Sequence, residues 1–187
     1  MVICIFIWSA IKPADLLTWI LEVIPVFIGL LILIITYRRF TLSTLSYLII
    51  MVLTILMLIG GHYTYERVPF FSTLKHVFHL KRNEYDRFGH FAKGFFALVI
   101  REFLIRKSCL KPSRLLGLLV ISVILAIAAS YEIIEGLASE ILGKSAKDFL
   151  GTQGDVWDSE WDMALAFLGS VVSLLLLSKL QNRILKG

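Results

Sequence analysis

The stretch LLTWILEVIPVFIGLLILIITY, residues 16–37, decides the fold class. It holds one charged side chain, Glu22. Wound as a helix rising about 1.5 Å per residue, it reaches roughly 33 Å and can cross a hydrocarbon core of about 30 Å. Similar apolar runs lie at 42–61, 88–105, 115–135 and 161–180, and a shorter one at 1–11. The chain therefore reads as all-α, a polytopic transmembrane helix bundle of five or six spans in a single integral membrane domain covering 1–187. The short run leaves the count open, and it lacks the basic start and small-residue cleavage site of a signal peptide. Composition agrees, with 58% hydrophobic and 18% charged residues and a mean hydropathy of +0.82. Two cysteines, Cys4 and Cys109, make no disulfide framework.

The net charge of +5 is distributed by span end. Arg38 and Arg39, then Arg106, Lys107, Lys111 and Arg114, then Lys179, Arg183 and Lys186 follow alternate spans, which places these connections and the C-terminus in the cytoplasm. The other loops then face the periplasm or exterior of a bacterial inner membrane. Basicity here reports topology, and the long soluble basic face of a nucleic-acid binder is missing. Between spans, 71–82 mixes Phe71, Leu74, Val77 and Phe78 with Lys75, Lys81 and Arg82, the pattern of a helix lying in the interface. His76 and His79 read as part of its solvated face.

The outward loops collect the chemistry. FLGTQGDVWDSEWDM, 149–163, sets Asp155, Asp158 and Asp162 at the approach to the last span, with Asp158 and Asp162 at i and i+4 on one helical face. Gly151 and Gly154 permit tight turns before it. Asp86 and His90, also i and i+4, share a face at the start of the 88–105 run, where the carboxylate can fix the imidazole tautomer. Gly89 and Gly94 flank His90 and let another helix come close, as do Gly60 and Gly61 at the end of the 42–61 run. Lys93 follows one turn deeper. Glu22 lies within its span, where an acid needs a partner or a cavity, and Pro25 is expected to bend the same helix. Glu132 and Glu135 stand i, i+3 at an outer end. Glu102 lies about 24 Å along a helix from Asp86 and pairs with Arg106 as an inner-end anchor.

Together WILEVIP, GGHYTYERVP, RNEYDRFGHF, REFLIR, YEIIE and FLGTQGDVWDSEWDM resemble the YjdF-like family of bacterial inner-membrane proteins. The resemblance covers roughly 19–170 and implies several membrane helices, with no activity or cofactor attached. More distantly, Asp86, His90, Glu132, Asp158 and Asp162 resemble the pattern of VanZ-like membrane proteins, which are linked to glycopeptide resistance at the cell envelope.

The expected site is an outward-facing cavity. Asp86, His90, Asp155, Asp158 and Asp162 are its candidate ligands for a divalent Mg²⁺, Mn²⁺ or Zn²⁺, since carboxylates with imidazole suit such ions. Asp86, His90 and Glu132 are the acid–base candidates; Glu22, His62, Tyr65, Lys93, Glu135 and Gln153 complete the binding surface. The sequence contains no HExxH, P-loop or GxSxG pattern. Three functions stay open: a metal-assisted enzyme or binder acting on a lipid, isoprenoid-phosphate or other amphiphilic envelope substrate; a small proton-coupled transporter; and a non-catalytic helper whose polar cluster fastens helices within the lipid bilayer.

Overall fold

A computed structural model describes residues 1–108, 110–142 and 153–186. Cys109 and the stretch 143–152, with Lys144, Lys147, Asp148 and Gly151, lie outside the described residues. The helices are α1 (Val2–Ala10), α2 (Leu16–Thr36), α3 (Thr44–Tyr63), α4 (Pro69–Val77), α5 (Tyr85–Lys93), a 3₁₀ turn (Gly94–Phe96), α6 (Ala97–Lys107), α7 (Arg114–Leu142) and α8 (Asp158–Ile184), and no strand occurs among the described residues. Four of them, α2, α3, α7 and α8, are long and apolar enough to cross a membrane. With 9 residues, α1 is about half the necessary length.

The molecule is inside-out by the standards of a soluble domain. Large apolar side chains such as Leu31, Ile34, Ile35, Leu118, Leu175 and Leu176 are exposed, while Glu22, Asp86, His90, Glu102, Asp158 and Asp162 are buried. The apolar core, with Leu58, Ala97, Leu98, Leu116, Val120 and Ala166, lies between helices. Polar side chains collect at the two ends.

Local signals set the element boundaries. Asp15 caps α2 by accepting the Thr18 N–H at 2.7 Å. Ser43 caps α3, and Glu102 of α6 reinforces that cap, accepting from the Ser43 N–H at 2.8 Å and from the hydroxyls of Ser43 and Ser46 at 2.6 Å each. Arg106 completes the carboxylate's partners at 2.7 Å, so Glu102 is the expected structural anchor and also joins α6 to α3. Nearby, Arg101 donates to the side-chain oxygens of Gln181 and Asn182 of α8 at 2.6 Å each. Pro69 opens α4 at its first turn. The run after α4 departs from one continuous interfacial helix: His79 takes φ 52°, and the chain turns so that Arg82 is buried rather than displayed on a solvated face.

Helix α8 packs against α5, the 3₁₀ turn, α6 and α7. Two glycines let it. A Cβ on Gly94 would collide with the α8 backbone at Ala166, Gly169 and Ser170, and one on Gly169 would collide with the Phe91 carbonyl. Gly89 faces the Tyr65 ring at ordinary contact distance, and Gly60 makes room for that ring, whose Cζ would be 2.5 Å from an added Cβ. Gly61 alone of the α3 pair serves a helix contact, with the Glu22 Cβ 3.1 Å from its own virtual Cβ. Gly169→Val should therefore prevent proper docking of α8, read as loss of folded protein in detergent. Gly117→Ala, which meets nothing within 4 Å, should be neutral or stabilising by up to about 1 kcal/mol in the same melting experiment.

Candidate functional site

At one end of the bundle α2, α5, α7 and α8 bring acids, a histidine and basic groups into one cluster. One helical turn in α5 places Asp86 and His90 on a buried face, with Asp86 Oδ1 3.6 Å from His90 Nε2. The same repeat in α8 turns Asp158 and Asp162 inward, and Asp162 Oδ2 lies 4.0 Å from that nitrogen. From α7, Glu132 Oε1 comes within 3.9 Å of His90 Nδ1. Asp86, His90 and Asp162 can each offer one ligand atom, all within 4.8 Å of one another. Buried atoms with no hydrogen-bond partner include His90 Nδ1, Glu132 Oε1 and Asp162 Oδ1.

Lys93, a turn beyond His90, sets its Nζ 3.0 Å from His90 Nε2 and 4.6 Å above the Tyr131 ring. Beyond it, Glu22 Oε2 accepts hydrogen bonds from Tyr65 at 2.8 Å and Tyr131 at 3.3 Å. Burial and the adjacent Glu22 carboxylate push the Tyr65 phenol well above its ordinary pKa, so it acts as a donor. Thr64 and Tyr65 hold left-handed backbone angles, φ 57° and 43°, which fold the ring back beneath Gly60. Glu135 is buried on α7 and feels the charges of Glu22, Lys93, Glu132 and Asp86.

Beside this group is a second set of ion pairs. Arg82 contacts Asp158 directly and lies 3.8 Å from both Asp86 and Asp155. Burial disfavours its charge, yet the hydrogen bond and charge of Asp158, with Asp86 and Glu84, outweigh that and hold its pKa above the ordinary value. Arg87 binds Asp155 at 2.5 Å and Glu84 at 3.3 Å. Asn83 anchors the loop: its amide donates to the Val68 carbonyl at 3.2 Å and the Ser72 hydroxyl at 3.0 Å and accepts the Tyr85 N–H at 3.1 Å. Gln153 clasps the Asn83 backbone with two hydrogen bonds, at 2.9 and 3.0 Å.

The structure thus brings Asp86, His90, Lys93, Glu132, Glu135, Asp162, Glu22 and Tyr65 together. It gives Asp155 and Asp158 to arginines, uses Gln153 as a loop clasp, and sends His62 to α1, where Nδ1 meets the Ser9 carbonyl at 3.0 Å and the ring faces Trp8 at 4.3 Å. His76 and His79 are exposed. Sequence reasoning passed over Arg82, whose i, i+4 spacing to Asp86 was the available signal, and Tyr131, next to Glu132.

A family model described as a predicted membrane protein, DUF2238, matches residues 1–183. The chain belongs to that family. It is also 42% identical over 183 residues to the inner membrane protein YjdF of Escherichia coli (strain K12), covering 97% of this chain and 88% of the relative. No solved structure matches it. It is a helical membrane protein of the YjdF type, as the resemblance implied.

Arg82→Met leaves Asp158 buried without its guanidinium and should cost about 3–5 kcal/mol in thermal or denaturant unfolding. Arg82→Met/Asp158→Asn should recover part of that loss. A double variant no more stable than the single one would show that the pair does not anchor the loop.

Proposed function

We propose that this protein resides in a bacterial inner membrane and holds one divalent cation, Zn²⁺ or Mn²⁺, between Asp86, His90 and Asp162 at its outer end. The reading places five crossings in one domain, α2, α3, the broken rod α5–α6, α7 and α8, with α1 half-inserted and α4 in the interface. Its orientation rests on the arginines and lysines at 38–39, 106–114 and 179–186. Similarity to an inner membrane protein supports the location.

One observation carries the ion: three buried ligand atoms lie within 4.8 Å of one another, and two of those ligand residues, His90 and Asp162, each also hold a buried polar atom with no partner. Around a tetrahedral zinc with bonds of about 2.0–2.1 Å, ligand atoms stand roughly 3.3 Å apart. The observed 3.6 and 4.0 Å separations need only a modest inward movement. An imidazole ligand favours zinc or manganese over Mg²⁺, which retains most of its waters.

Three protein ligands leave a coordination position for water or a phosphate oxygen. Action on a phosphorylated amphiphile of the envelope is the enzymatic form of this reading, with Glu132 as the neighbouring base. A proton-coupled carrier is less well supported. Between that cluster and Glu102 the buried residues include Leu58, Ala97, Leu98 and Val120, and the buried hydroxyls of Ser170 and Ser173 donate to carbonyls of their own helix, so no buried titratable side chain among the described residues carries a proton path through the middle.

Purified protein should carry about one equivalent of zinc or manganese by elemental analysis. Asp86→Asn/Asp162→Asn should lose it, while Asp155→Asn, whose native carboxylate is held by Arg87, should keep it. Equal metal content in all three well-folded proteins would sink the assignment.

A further inference from the structure

We propose that Lys93 is a built-in competitor for the cation, occupying the ligand side of His90 and withdrawing toward Glu22 when an ion enters. This rests on the ion site proposed above and concerns how its occupancy is controlled.

The decisive atom is His90 Nε2. It is the nitrogen that faces both Asp86 Oδ1 and Asp162 Oδ2, and it is also the nitrogen that Lys93 Nζ meets at 3.0 Å. A ring nitrogen has a single lone pair in the ring plane, so an ammonium and a metal ion cannot share it. On the side away from the aspartates the lysine has further partners. Its ammonium already lies 4.6 Å from the centre of the Tyr131 ring and 5.8 Å from that of Tyr65, and both tyrosines donate to Glu22. A ring face attracts a cation, and the Glu22 carboxylate beyond it adds full charge. On the side of Tyr65, Tyr85, Gly89 and Met57 a void of about 10 Å³ borders Lys93, the least that could hold one water.

Electrostatics make the exchange reciprocal. The Lys93 charge acts on Glu22, Asp86, Glu132, Glu135 and Asp162 alike, so it partly neutralises the pocket that an ion would otherwise neutralise. Moving it a few ångströms toward Glu22 keeps it near carboxylates while freeing the three ligand atoms. The tether is what distinguishes this from solvent competition. Lys93 is on the same helix as His90, one turn away, and returns whenever the ion leaves.

The test is Mn²⁺ and Zn²⁺ titration of the full-length protein in detergent, comparing wild type with Lys93→Met and Lys93→Arg. Lys93→Met keeps the apolar stem and removes the charge, so it should bind at least about tenfold more tightly. Lys93→Arg should bind no more tightly than wild type. Lys93→Met should also melt earlier without metal and gain more from added metal than wild type does. Binding by Lys93→Met alone, with none by wild type, would support the competitor role in its strongest form. If wild type binds and folded Lys93→Met and Lys93→Gln bind no more tightly, the competitor role is overturned while the ion site stands. If neither wild type nor any Lys93 variant binds either ion, the ion site itself is wrong and the inference falls with it.

Discussion

A carboxylate drawn away from water must be met by a cation, by hydrogen-bond donors or by a proton, because the cost of leaving it bare is several kcal/mol even after relaxation. One end of this bundle is arranged around that demand. Asp158 meets Arg82, Asp155 meets Arg87, and Glu22 meets two tyrosine hydroxyls. Asp86, Glu132 and Asp162 are only partly answered, since their nearest shared partner, His90, stands 3.6–4.0 Å from them. The chemistry is concentrated in that shortfall.

The opposite end handles the same demand differently. Glu102 is completely buried, yet its oxygens take bonds from a backbone N–H, two serine hydroxyls and Arg106. Arg101 spends its donors on Gln181 and Asn182, and Gln181 in turn donates to the Leu98 carbonyl at 2.6 Å. These groups are satisfied, and they tie α3, α6 and α8 together. The bundle thus has a satisfied polar cluster at one end and an incompletely satisfied one at the other.

Several features were legible in the residues. Apolar length and the distribution of arginine and lysine follow from the cost of placing charge in hydrocarbon, a rule that needs no knowledge of neighbours. Helical period put Asp86 with His90 and Asp158 with Asp162 on shared faces, and both pairs are buried together. Spacing along a helix also kept Glu102 away from the outer cluster. What period could not say was which faces meet. His62 belongs with α1, although its position at an outer helix end suggested the cavity. Arg82 looked like one more interfacial base until the turn at His79 carried it inside.

The residues alone mark this as an all-α membrane protein with acids and imidazole gathered near helix ends, because hydrophobic length and helical period are local properties of the chain. Helix docking set which acids are already met by arginines, that Lys93 touches the nitrogen facing Asp86 and Asp162, and that Gly94 of the 3₁₀ turn meets α8 at Gly169. Those outcomes depend on contact distances between residues as far apart as 22 and 131 or 82 and 158. Such distances are set by how helices dock, through backbone contact and shared ion pairs, and no spacing along the chain encodes them.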